Sequence, residues 1–457
     1  MKYFAMAAST IVMSAGNAVA FQTTQGDESV AELRTLVKQL QNQVDELKAQ
    51  NDDNWLTQQR AEEIKGLVQD VLADADTRAT LLQSGATAGW DKGFFLASAD
   101  GNFKLNIGGQ LQVRYVYNIQ NDSPTDDDRS GFEVRRAKLI LKGHIVDPSC
   151  GYELQIGAGN NGAFAVDDAG WIQKDFGNGW KVRVGQMKAP FLREEVVSST
   201  RLFAVERSLV NTFFTAGTVQ GAMVLWEGDQ LHLYGMAHDG NNSKNTPWST
   251  EDTEGLALSG RAEWLAFGEW KNIADYDSFK DEGSSLLIGA AVNWSKSEFG
   301  TGDGVIIPGP GGVPSDTTPN DREVNNLGLT ADVTWELGGA SIAGAIMYRR
   351  LETDATGATA DQIGFLIRGG LFVTEEWELY AQYEWADQDT AGLADLSVAT
   401  VGVTKFWAKH NLKWQSDVGY GFDTITSTLA SDSAGWRTDT TGEDGQIVVR
   451  SQIQLLF

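Results

Sequence analysis

The chain has 457 residues and a single cysteine, Cys150. One cysteine allows no internal disulfide and no cysteine-based metal site. Histidine is scarce too: four residues, far apart, which argues against a histidine metal cluster. No stretch approaches the roughly 20 consecutive apolar residues that a membrane-crossing helix requires. Basic residues are in deficit, 36 Lys and Arg against 62 Asp and Glu, for a net charge of −26. No nucleic-acid partner is expected of so acidic a chain. No nucleophile–base pairing and no metal motif is visible, so the sequence does not read as an enzyme and implies no cofactor.

What the chain does have is 50 glycines, 15 tryptophans and 42% hydrophobic residues. A membrane barrel hides its apolar signal in this way, because only alternate residues meet lipid while aromatic residues gather at the interfaces. Residues 1–20 read as a signal peptide. Lys2 starts it, an apolar stretch follows, and Ala18-Val19-Ala20 predicts cleavage after Ala20. Residues 21–85 read as a helical stalk. Val30, Leu33, Val37, Leu40, Val44 and Leu47 repeat at coiled-coil spacing, and a second helical stretch runs through Ile64, Leu67, Val68 and Val71. Val at the a positions with Leu at d favours two strands, whereas a trimeric protein needs three. Residues 86–102 read as a linker.

From Phe103 the apolar period drops to two. Leu105, Ile107, Leu111 and Val113 alternate with Lys104, Asn106, Gln110 and Gln112. That is the pattern of a strand with one face in lipid and one in water. It recurs sixteen times: 103–118, 132–146, 150–159, 165–175, 179–188, 218–227, 230–238, 257–268, 284–296, 325–337, 339–353, 360–373, 376–388, 396–408, 411–423 and 445–457. Tight turns such as Asp147-Pro148-Ser149 and Gly177-Asn178 alternate with long connections such as 239–255 and 297–324. One connection, 269–283, is long where a tight turn is expected. The fold class is therefore all-β, a 16-stranded antiparallel transmembrane barrel over residues 103–457, preceded by the coiled-coil stalk. The last strand ends on Phe457, on the lipid-facing side of its alternation.

The connection from Ala189 to Gly217 carries Phe203, Leu209, Val210, Phe213 and Phe214. Those residues favour a loop folded back into the lumen over one left in water. Strict alternation gives Arg136 to the lumen and Arg135 to lipid, so a bulge is expected at Arg135 unless it lies outside the apolar band. Other basic residues with lumen parity or loop placement are Arg114, Lys138, Lys181, Arg183 and Arg207.

Four segments occur in order: Ile107-Gly108-Gly109-Gln110-Leu111-Gln112, Phe132-Glu133-Val134-Arg135-Arg136-Ala137, Val184-Gly185-Gln186-Met187 and Glu206-Arg207-Ser208. Residues 100–225 thereby resemble the phosphate-selective porin O and P family, and the terminal Phe457 resembles the C-terminal signature of outer-membrane barrels. The resemblance implies a trimeric sixteen-stranded porin whose third long loop narrows the pore. It also implies a lumen site for anions. Carried over by position, that site comprises Arg135, Arg136, Arg207 and Ser198, with Asp167 beside them. Arginine forks pair two oxyanion oxygens and keep their charge at any working pH. The chain departs from the family where Gln110 replaces an arginine after Gly-Gly, and where Glu195 and Thr200 replace lysines. The expected function is passive diffusion of small polar solutes, including anions, across the bacterial outer membrane, with the stalk in the periplasm. An alternative makes the barrel a lipid-embedded anchor and the stalk a tether to peptidoglycan.

Overall fold

The computed structural model describes residues 34–45, 65–66, 86–90, 93–120, 128–158, 163–248, 256–298, 323–353, 359–390 and 392–457. The chain divides into two units, Met1–Gln83 and Ser84–Phe457. In the first unit residues 34–45 are helical, and three of the seam positions, Val37, Leu40 and Val44, lie on that helix. The signal peptide, the other seam residues and the second helical stretch apart from residues 65–66 lie outside the described residues.

The second unit is one antiparallel sheet of eighteen strands. A hairpin comes first, β1 (Ala86–Trp90) and β2 (Phe94–Ser98). Then follow β3 (Lys104–Ile119), β4 (Arg129–His144), β5 (Cys150–Ala158), β6 (Phe164–Gly177), β7 (Trp180–Lys188), β8 (Thr218–Glu227), β9 (Leu231–His238) and β10 (Ala257–Phe267). The second half comprises β11 (Ser285–Glu298), β12 (Glu323–Glu336), β13 (Ala340–Thr353), β14 (Thr359–Phe372), β15 (Trp377–Asp387), β16 (Leu396–Phe406), β17 (Leu412–Gly421) and β18 (Ile447–Leu456). Each pairs with the next, and β18 pairs back onto β3, closing a barrel of sixteen strands, as the alternation predicts.

The barrel is inside-out relative to a soluble protein. On β3, Gln110, Gln112 and Arg114 are buried on the inner face while Leu111 and Val113 are exposed outside. On β14, Arg368 is buried and Ile367 exposed; on β18, Arg450, Gln452 and Gln454 are buried and Ile453 and Leu455 exposed. An apolar outer wall fits hydrocarbon, and closure leaves no unpaired strand edge in it.

At the seam, Gly109 N–H donates to the Phe457 carbonyl at 2.8 Å, and the Phe457 N–H donates back to Gly109 O at 3.2 Å. A Cβ on Gly109 would collide with the Phe457 ring, so the glycine makes room for the terminal aromatic. Below that point β2 pairs with residues 104–107 of β3 and extends the seam. The β1–β2 hairpin lies in the segment expected to be a linker; five-residue strands carry too few repeats to show a period.

Short turns and the C-terminus lie at one end of the barrel, long connections at the other. Several of the described connections run inward, among them 422–446, whose Trp436 and Ile425 are buried and whose Ser433 and Ala434 carbonyls accept from Arg114 and Arg450; two others bear on the site. The first is 189–217. The second is the anomalous 268–284, which holds a 3-10 turn at Asn272–Ala274 and buries Tyr276, Asp277, Ser278 and Phe279. The length that looked out of place at the short-turn end belongs to a segment that packs inside the wall.

Candidate functional site

The loop 189–217 carries two short helices, α1 (Arg193–Val196) and α2 (Leu209–Phe214). Ser208 caps α2, accepting from Asn211 N–H at 3.0 Å. The loop is buried because it crosses the barrel and meets strands on several sides. Arg261 on β10 donates to Phe191 O at 2.9 Å, Arg368 on β14 pairs with Glu194 at 2.5 Å, and Lys413 on β17 donates to Leu202 O at 2.8 Å. Gln110 on β3 donates to Ser199 O at 2.9 Å. Three inward glycines receive aromatic rings: Phe191 over Gly328, Phe203 over Gly370 and Phe214 over Gly364. A side chain at any of the three would push the loop off the wall.

The expected bulge at Arg135 is present. Gln112 pairs with Arg136 and Val113 with Val134, so Arg135 is the extra residue on β4. The bulge sends both arginines to one partner. Arg135 Nε and Arg136 Nη2 each lie 2.7 Å from the Glu206 carboxylate, and Arg114 Nη1 is 3.6 Å from it. Burial alone would raise the Glu206 carboxyl, but the Arg136 and Arg135 guanidiniums hold it well below the usual carboxylate range. Glu206 stands in the Glu206-Arg207-Ser208 segment, where the arginine drew attention and the carboxylate was not assigned a role.

Arg207 turns to the loop's own backbone, donating to Glu194 O at 3.1 Å and Val197 O at 2.9 Å, with Glu195 Oε2 at 3.4 Å. Burial lowers its affinity for the proton, but Glu195 and Glu206 more than compensate and raise it. Glu195 is also close to Lys188, at 3.7 Å, and accepts from Asn211 at 2.9 Å. Burial pushes the Glu195 carboxyl up, and Arg207 and Lys188 pull it below its ordinary value. Lys138 bridges Asp167 at 2.5 Å and Asp168 at 2.7 Å, and Lys244 from the 239–256 loop also pairs with Asp167.

Of the residues singled out in the sequence, Arg135, Arg136, Arg207 and Asp167 line one open space of about 1230 Å³. Ser198 lines a second space of about 850 Å³, nearer the short-turn end, together with Lys188, Arg183 and Glu153. The two spaces share Asp168. Gln110 is buried against Ser199 and Gln454 and lines neither space. Lys181 pairs with Glu227, and Arg183 stacks on Trp171 at 4.0 Å. Asp168, Lys188 and Lys244 are additions that no sequence motif singled out.

The electrostatic balance is the informative property. Arg135, Arg136, Lys138, Arg207 and Lys244 line the larger space, with Asp167 and Asp168. Glu195 and Glu206, which pair with these arginines and are shared with Lys188 and Arg114, offset part of that surplus and leave the cluster modestly positive. Such a group offers a passing anion hydrogen-bond donors and a modest net field.

Residues 105–294 match the family model for phosphate-selective porin O and P, as the resemblance of residues 100–225 implied. No curated protein matches the chain. Among solved structures, the chain is similar to an anion-selective porin from Comamonas acidovorans, with 14% identity and a TM-score of 0.56, covering 77% of this chain and 99% of that one. It is also similar to in-vitro folded OmpT, an outer-membrane protein of Vibrio cholerae, with 15% identity and a TM-score of 0.55, covering 78% and 98%. A trimer form of that OmpT matches with 14% identity and a TM-score of 0.52, covering 77% and 99%. At these identities the likeness speaks to the fold, a porin barrel.

Proposed function

We propose that this protein is an outer-membrane porin giving passive passage to small polar solutes, with a mild preference for anions. The observation that carries the reading is the loop 189–217 packed across the barrel interior, held by Arg261, Arg368 and Lys413 of the wall. Ser198 and Arg207 of that loop, with Lys138, Asp168 and Lys188 of the wall, line the two spaces beside it. The loop is the constriction: its ion pairs to β4 and its backbone bonds to β17 hold it across the lumen, and its position sets the size limit. The modest net charge there supports weak selectivity over tight phosphate capture. Glu195 lies where the family carries lysine, and it neutralises Arg207 in place of adding to it. The family match and the barrel fold favour a channel over an enzyme.

The family and the neighbouring trimeric barrel support a homotrimer in the outer membrane, with short turns, C-terminus and N-terminal stalk in the periplasm. A tether to peptidoglycan through the stalk is compatible with a pore, since the stalk lies in a unit of its own. Planar-bilayer recording in asymmetric KCl tests the reading. We expect ohmic channels, a reversal potential slightly to the anion side, and little block by added phosphate. Absence of conductance refutes the pore, and strong block by phosphate refutes the weak-selectivity assignment.

A further inference from the structure

At the short-turn end, the inward segment 268–284 meets the turn 407–411 between β16 and β17. Asp275, Asp277 and His410 come together there, with one ligand-capable atom from each lying within 4.8 Å of the others. Asp275 is 5% exposed, Asp277 0% and His410 9%. No N–H or hydroxyl donor reaches either oxygen of Asp277, whose carboxyl faces Glu378 and the His410 ring, while His410 Nε2 faces Asp275. A fully buried carboxylate without partners costs several kcal/mol by general experience of buried ions, so such a group normally coordinates or pairs.

The spacing fits a cation. His410 Nε2 lies 3.2 Å from Asp275 Oδ2 and 3.8 Å from Asp277 Oδ2. Ligands at bond lengths of about 2.0–2.1 Å around a tetrahedral ion sit about 3.3–3.4 Å apart. The two observed spacings bracket that value, so small side-chain shifts would complete the geometry. The surroundings add charge and rigidity. The carboxylates of Glu336 and Glu378 are also buried without an N–H or hydroxyl donor, and Glu378 faces Asp277. Arg201, 3.2 Å from Asp275, and Lys413 are the nearby cations. The His410 ring is held edge-on between Phe279, at 5.6 Å, and Phe406, at 5.8 Å.

We infer that Asp275, Asp277 and His410 bind a divalent transition cation of the zinc class at the short-turn end of the barrel. One imidazole with two carboxylates suits such an ion, whereas calcium and magnesium take oxygen ligands. A fourth position is left for water or for Glu378. The bound ion would clip the inward segment to the β16–β17 turn and fix the exit of the pore. No local motif points to this site, since the two turns are more than 130 residues apart and neither carries metal-ligand spacing.

The test uses the full-length protein in detergent, stripped with a chelator, dialysed, and then titrated with Zn²⁺ alone. Bound metal is counted per chain by mass spectrometry, and affinity is read by competition with a chromophoric chelator. We expect one Zn²⁺ per chain. His410→Ala and the near-isosteric Asp277→Asn should each weaken it about a hundredfold or more, beyond the 10–100-fold typical of outer-shell partners. Asp281→Asn, on the exposed side of the same segment, should leave it unchanged. Heat-modifiable migration confirms that each variant is folded, and Asp277→Asn keeps the test available if His410→Ala is not. Wild-type protein that binds no zinc at micromolar concentrations, or folded variants that bind it as well as wild type, would overturn the proposal and leave a proton shared among the three groups.

Discussion

Replacing Glu206 by Gln removes one negative charge from the meeting point of three guanidiniums while keeping the side chain's size. Arg135 and Arg136 each lose an ionic contact of 2.7 Å, and Arg114, whose Nη1 has no hydrogen-bond partner, loses its nearest loop charge. A unit charge about 8 Å from a passing ion, at an effective dielectric of about 20, is worth about 2 kcal/mol. Salt at 0.1 M, with a Debye length of about 10 Å, cuts this to about 1 kcal/mol. Anions should then be favoured, and cations disfavoured, by about fivefold each. The assay is the reversal potential across a tenfold KCl gradient, which should move clearly to the anion side. There is an accompanying cost. Breaking a buried pair typically destabilises by about 3–5 kcal/mol. The glutamine carbonyl still accepts from Arg136, so the loss should sit at the low end of that range. An unchanged reversal potential in folded, conducting channels would refute the placement of this cluster beside the ion path.

Glu206 also fixes an expectation for pH. Its folded carboxyl is depressed, so its stabilisation is complete above its unfolded value, about 4.3, and is lost as pH falls toward the lower folded value. The difference in thermal stability between wild type and Glu206→Gln should therefore be constant from pH 7 to 5 and shrink below about 4.3; shrinkage already between pH 7 and 5 would count against the pairing. At the seam, deleting Phe457 should lower the amount of assembled protein in outer membranes, measured by immunoblot, without altering the single-channel conductance of what assembles. Equal levels would argue that the contact with Gly109 is dispensable.

The barrel was legible because its physics is periodic. A strand in a membrane wall must alternate, so Leu111 and Val113 against Gln110, Gln112 and Arg114 announce both the strand and its two faces. The same parity located the bulge. An arginine in a lipid-facing position is costly, and the chain relieves it by inserting Arg135 as an unpaired residue on β4. The hairpin β1–β2 escaped because its strands are too short to show a period. The 268–284 segment was recognisable only as a length that did not fit, since nothing local says that Asp277 will be buried.

The candidate site was legible in its residue types but not in its pairing, and pairing decides what it does. Arg135, Arg136 and Arg207 look alike in a sequence, yet two of them meet Glu206 and the third meets Glu195 and the loop's own carbonyls. Glu206 lies 71 and 70 residues from Arg135 and Arg136 along the chain, so only the return of the loop across the barrel creates those two contacts. An arginine held by a carboxylate acts first as a tether. It keeps the loop in place, and what remains of its donors faces the solute. On the proposed reading, the residues that would narrow the passage also offset part of its charge. A family site rich in unpaired cations would concentrate anions. On that same reading, Glu195 where the resemblance implies a lysine and Glu206 among three guanidiniums would leave a narrow passage of modest charge, favouring selection by size over capture of phosphate.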